Sequence, residues 1–182
     1  MAAFAELPEQ AAAELESRLH DIFELGQMMA VTADESDLAE QVVATALDKR
    51  GGMNLVRVTA RAPAHRTAVI DALWAALFPG RWHGARPRIL SEAERDIDAE
   101  LDRRTRPVLL VGDAQQLRGG GWQCLYGTWR AAADRYRPLP LIWTGTTRLT
   151  TVLQRPALDS IDNRIYLRYR IEPAHGQRRP AR

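Results

Sequence analysis

Pro107-Val-Leu-Leu-Val-Gly-Asp-Ala-Gln-Gln-Leu117 is the stretch on which the fold of this 182-residue chain turns. Val108 to Val111 is an unbroken apolar run, bounded by Pro107 and by the turn-forming pair Gly112 and Asp113. A run this short fits a strand buried on both faces, as in a parallel sheet.

Similar segments recur on either side. Met28–Ala33 is apolar, Asn54–Ala60 carries Val56, Val58 and Thr59, and Leu139–Gly145 reads as a fourth strand. Arg164–Ile171 alternates. Ile165, Leu167, Tyr169 and Ile171 share one side and Arg164, Arg168 and Arg170 the other, as in an edge strand half open to water.

Helical spacing fills the gaps between these strands. Leu15, Leu19, Ile22 and Phe23 share a face in a helix expected over Pro8–Leu25, and Leu38, Val42 and Leu47 do so in one over Ser36–Lys49. Val69, Ile70, Leu73, Trp74 and Leu77 make an apolar stripe over Thr67–Leu77. Ser91 and Glu94 have capping-box spacing for a charged helix ending near Arg104. Gly119–Gly121 reads as a flexible loop before a helix lined by Trp122, Leu125, Tyr126, Trp129 and Ala133. Strands alternating with helices predict an α/β fold in three layers: a five-stranded, mainly parallel sheet flanked by helices.

Composition is that of an ordinary globular domain, with 46% hydrophobic and 26% charged residues. The net charge of +2 is too small to announce a nucleic-acid binder. One domain is expected over residues 1–173, then a basic, disordered tail over 174–182 with Arg178, Arg179 and Arg182. No apolar stretch is long enough to span a bilayer and no signal peptide is evident, so a cytoplasmic protein is expected. Cys124 is the only cysteine, which excludes an intrachain disulfide; its neighbours Trp122, Leu125 and Tyr126 favour a packing thiol. His20, His65, His83 and His175 show no ligand spacing.

Together with Leu139–Leu149, LPLIWTGTTRL, the opening stretch resembles AAA+ P-loop ATPases, and among them the transposition and secretion group of TniB, TnsC, MuB and ExeA-like proteins. The resemblance covers Gly26 to Pro173 and implies a P-loop NTPase-like fold. That group carries a hydrophobic run and then Asp-Glu-Ala-Gln, the Walker B step. Here Gly112 stands at the metal-binding Asp and Asp113 at the water-polarising Glu; shifted by one residue, Asp113 serves the metal and Ala114 takes the base position. One of the two roles is missing either way. Asp113 and Gln115 then serve as hydrogen-bonding residues of a strand-to-helix turn.

The phosphate loop G-x4-G-K-[ST] works because backbone N–H groups cradle phosphates, Lys neutralises charge and a hydroxyl meets Mg²⁺. Laid on this chain, its two glycines fall on Ala33 and Leu38, its lysine on Ala39 and its hydroxyl on Glu40. Asp34, Glu35, Asp37 and Glu40 crowd the same turn. Like charges ~4 Å apart cost on the order of 4 kcal/mol at an effective dielectric of ~20, so a triphosphate is expected to be repelled. The carboxylates instead suit a helix N-terminus, with or without descent from a phosphate loop.

The resemblance implies further expectations. Thr144, Thr146 and Thr147 fall where the family senses γ-phosphate, or serve as turn hydroxyls. Arg164 matches the finger arginine that acts on a neighbouring subunit's nucleotide, or is a surface arginine. The family's helical lid is expected to be missing after Pro173. Arg61, His65, Arg66 and Arg118 match DNA-facing loops, or are solvated surface. The leading expectation is a pseudo-ATPase, without cofactor or metal, that acts by protein contact in a transposition setting. Its partner would be an active AAA+ ATPase or a transposase. A DNA-binding accessory protein and an active NTPase with a non-standard loop are the alternatives.

Overall fold

The computed structural model describes residues 3–80 and 86–172, with side chains of the first helix described from residue 11. Helix α1 (Ala3–Glu24) leads into β1 (Met28–Ala33), followed by α2 (Ser36–Arg50), β2 (Asn54–Thr59), α3 (Arg66–Leu77) and α4 (Leu90–Arg103). Then come β3 (Pro107–Gly112), α5 (Gly119–Asp134), β4 (Leu141–Thr146), α6 (Arg148–Leu153), α7 (Asp159–Asp162) and β5 (Ile165–Arg170). The strands form one five-stranded sheet in the order β2-β3-β4-β1-β5. Every pairing is parallel.

Side-chain alternation along the strands divides the core between the two faces. Leu109, Val111 and Trp143 join Ile70, Leu73 and Trp122 on the side of α3 and α5. Val108, Leu110 and Ile142 join Leu15, Leu19, Val42 and Val43 on the side of α1 and α2. Successive strand residues point to opposite faces, so a central parallel strand must be apolar throughout. That is why Val108 to Val111 is fully buried. In β5 the burial alternates, as expected of an edge strand.

The expected elements all form, with local corrections. Ser91 lies inside α4, whose N-cap is Ile89 without a side-chain cap, so no capping box forms. Gly119–Gly121 is not a loop but the first turn of α5. Its reason is close approach: a Cβ on Gly121 would sit 2.5 Å from the Ala64 carbonyl oxygen. On α5, Ala132 is buried in place of the expected Ala133, which is exposed. The centre of the expected loop over Phe78–Pro87 and the basic tail lie outside the described residues, with His83 and His175. Among the described residues no helix is long and apolar enough to cross a membrane.

Candidate nucleotide site and its neighbouring loops

In open parallel sheets ligands gather at the carboxyl ends of the strands, here the ends of β1, β3 and β4. Only Asp34 and Glu35 separate β1 from α2. Residues that would form a phosphate loop are instead the first turn of α2, with the Ala39 N–H bonded to the Glu35 carbonyl at 3.4 Å. The Ala33 carbonyl is also taken, accepting from Thr147 N–H at 3.1 Å. Ala33 and Ala39 are buried; Leu38 and Glu40 are half-buried.

The four acids do not converge. Asp34, Glu35 and Asp37 are exposed, and Asp34 lies 3.8 Å from the Arg170 guanidinium. Glu40 alone turns inward. Its Oε1 is 3.4 Å from Arg57 Nε on β2. Its Oε2 occupies the space that a Cβ on Gly112 would fill, and Thr59 Oγ1 lies 3.7 Å from the same point. Burial raises the Glu40 pKa; Arg57 opposes the shift, while Asp113 and Asp37 add to it.

The two departures read from the sequence meet in space: Gly112 has no side chain at the end of β3, and the Glu40 carboxylate from α2 fills that place. Mg²⁺-nucleotide does not fit these residues. Glu40 stands where the expected loop would put its hydroxyl, Gly112 has no side chain where the expected metal ligand would stand, and Glu40 Oε2 fills the space beside Gly112.

Asp113 adopts φ 53° at the end of β3 and starts a short 3₁₀ turn over Ala114–Gln116. Gln115 Nε2 donates to Asp113 Oδ1 at 2.9 Å, and Gln115 Oε1 accepts from Thr146 N–H at 3.3 Å. The same Oε1 takes up the space above Gly145, so Gln115 ties the ends of β3 and β4 together. Thr144 is buried and donates to the Val111 carbonyl at 3.2 Å, extending the contact between these strands. Thr147 is exposed.

Arg164 is exposed at the start of β5, the opposite edge of the sheet. The candidate DNA residues do come together. Ala64 and Leu117 form an isolated parallel bridge between the loops after β2 and β3. Arg118 N–H donates to the Ala64 carbonyl at 3.0 Å, and Ala64 N–H donates to the Gln116 carbonyl at 3.3 Å. This places Arg61, His65 and Arg118 on adjoining loops beside Arg66, the first residue of α3, all four exposed. Arg66 is committed, however. It forms a two-pronged pair with Glu94 through Nε at 2.9 Å and Nη2 at 2.7 Å. Sequence reading gave Glu94 a capping role rather than the pairing with Arg66, and missed Arg57 and the inward turn of Glu40, because each depends on contacts between distant elements. Among the described residues no group of three His, Cys, Asp or Glu side chains could hold a metal ion.

No protein-family profile matches the chain. No curated protein matches its sequence. Solved structures do. The Aeropyrum pernix ORC1 protein in complex with DNA superposes with a TM-score of 0.63 at 16% identity, over 91% of this chain and 45% of that one. The Aeropyrum pernix ORC2 protein in ADPNP and ADP complexes gives 0.60 at 12% identity, over 91% and 46%. Drosophila ORC bound to DNA gives 0.61 at 18% identity, over 93% and 31%. This chain spans less than half the length of each. At these identities the likeness shows the fold alone: a P-loop NTPase-like, five-stranded parallel sheet between helices.

Proposed function

We propose that this chain is a pseudo-ATPase, an AAA+-fold module that works without nucleotide and acts by contact with a protein partner. The observation that carries this reading is the Glu40 carboxylate seated against Gly112 and paired with Arg57. It supplies in cis the negative charge that a nucleotide would bring to a helix N-terminus. The resemblance to the TniB-like group adds a transposition setting and an active AAA+ ATPase or a transposase as partner. The exposed Arg164 is available to a neighbour's nucleotide.

The test is calorimetric titration with Mg²⁺-ATP, beside a phosphate-release assay. No saturable binding at millimolar nucleotide and no turnover above buffer are expected. Micromolar affinity would overturn the reading. Turnover abolished by Asp113→Ala would establish an active NTPase with an unusual loop instead.

A second reading, a DNA-binding accessory protein, is favoured by the adjoining placement of Arg61, His65 and Arg118. The ORC structures bound to DNA are in keeping with it. Retardation of duplex DNA that falls steeply with salt, and is lost in Arg61→Ala/Arg118→Ala, supports this reading. Absence of a shift at low salt removes it.

A further inference from the structure

A concavity lies at the opposite end of the strands from Glu40, where β3 and β4 begin. It is a cavity of about 450 Å³ bordered by the end of α1, the turn from α4 into β3, the end of α5 and the turn into β4. That volume is within the usual range for a ligand or peptide-anchor pocket, roughly 300–1,000 Å³. Its base is apolar, with Phe23, Met53, Leu101 and Leu139. Its rim is arginine, with Arg103, Arg106, Arg135 and Arg137.

The ion pairing around this cavity is short of carboxylate. Glu24 Oε1 is shared by Arg106 at 3.7 Å and Arg50 at 3.8 Å. Asp102 Oδ1 is shared by Arg135 at 3.2 Å and Arg137 at 3.7 Å. Glu100 is shared by Arg104 at 3.3 Å and Arg103 at 3.8 Å. Among the described residues six arginines thus divide these three carboxylates, and four of the six contacts exceed hydrogen-bond length. Arg104 is held besides by Asn54 Oδ1 and the Leu77 carbonyl, and Arg50 and Glu100 lie outside the lining, which leaves Arg103, Arg106, Arg135 and Arg137 at the rim. Asp98 adds one more acid to the lining and does not restore the balance.

Two further features mark the rim. Arg106 at φ 49° and Tyr136 at φ 54° hold the left-handed region, which costs an L-residue about 1–2 kcal/mol. Arg106 lines the cavity, and Tyr136, in the turn between the lining residues Arg135 and Arg137, has a side chain 96% exposed. Leu25, next to Glu24, is also exposed.

We infer that this cavity is a docking site for an acidic peptide segment of a partner protein, carrying an apolar side chain into the base and carboxylates onto the arginine rim. Guanidinium groups with unfilled donors recognise carboxylates in a planar, two-pronged manner. Exposed tyrosine and arginine are the residue types that anchor interfaces. A nucleic-acid backbone brings the charge but no apolar group for the base. The inference does not depend on the state of the nucleotide site, which lies at the other end of the strands.

Fluorescence anisotropy on the full chain tests it. The probe is a labelled peptide of about 15 residues built from Glu, Asp, Leu and Phe. Its controls are the same peptide with Leu and Phe changed to Ser, a Lys-for-acid version, and a single-stranded oligonucleotide of equal charge. The acidic apolar peptide is expected to bind at least tenfold more tightly than every control. Arg106→Ser/Arg137→Ser should weaken it at least tenfold, while Arg155→Ser, an exposed arginine after α6, leaves it unchanged. Should the double variant not fold by circular dichroism, Tyr136→Ser, which disturbs no packing, should weaken binding at least threefold. Equal binding of the oligonucleotide would make the site a nucleic-acid contact and overturn the inference. Equal binding of the Ser control, or no binding of the probe, would overturn it too.

Discussion

The carboxylate of Glu40 on α2 fills the space that the missing side chain of Gly112 leaves at the end of β3. Gly112→Asp is therefore expected to destabilise the chain by about 2–3 kcal/mol, through crowding and through two carboxylates sharing one place. Adding Glu40→Ser should return at least about 1 kcal/mol of that loss. Urea unfolding of the wild type, both single variants and the double variant measures the coupling. Strict additivity would show that the two positions are independent.

Asp98 offers a pH-dependent counterpart. Burial pushes its carboxyl up from 3.8 to about 6; Arg135 opposes the shift, while Asp102 and Glu94 add to it. Its Oδ1 is buried without a hydrogen-bond partner. A carboxyl raised on folding is held protonated longer in the native state. Stability is therefore expected to fall as pH rises from about 4 to about 6, then level off. Discounted for its solvent access, the cost near neutrality is roughly 1–2 kcal/mol. Asp98→Asn should recover it and flatten that part of the profile, read as urea midpoints across pH.

Gly26 holds φ +60°, and a Cβ there would meet Leu139 N at 2.6 Å and Pro138 Cα at 2.7 Å. Both are backbone atoms, which cannot swing aside. The Gly26 carbonyl also accepts from the buried Trp129 indole at 2.7 Å. Gly26→Ala should cost about 2–4 kcal/mol. Thermal or urea unfolding checks this. At Tyr136, by contrast, nothing packs on the exposed ring, and Tyr136→Gly should leave the chain as stable or up to about 1 kcal/mol more so.

Cys124 is buried, and its thiol is pushed up to about 12 by burial and by neighbouring Glu94, to which Sγ donates at 3.7 Å. The thiolate is the reactive form. A disulfide reagent at pH 8 should modify the native chain only at the rate of its unfolding, and modify it at once in denaturant. Rapid native labelling would contradict the packing.

Much of the fold was legible because central parallel strands must be continuous apolar runs and their helices must carry one apolar stripe. Val108–Val111 and Val69–Leu77 state this directly. The triple glycine misled because glycine signals freedom locally. Here Gly121 serves close approach to Ala64, a residue distant in sequence. At the site, the substitutions at Gly112 and Glu40 were visible one by one. Their complementarity was not, since helix spacing says nothing of which side chain crosses to which strand. Arg66 read as free cationic surface because its partner Glu94 lies 28 residues away.

The bridge between Ala64 and Leu117 has a mechanical consequence. It splices two excursions of the chain into a single ledge, which couples the backbone at Ala64 to that at Arg118. Whatever seats itself there meets one stiff lip, with Gln115 as its hinge pin to the strands beneath.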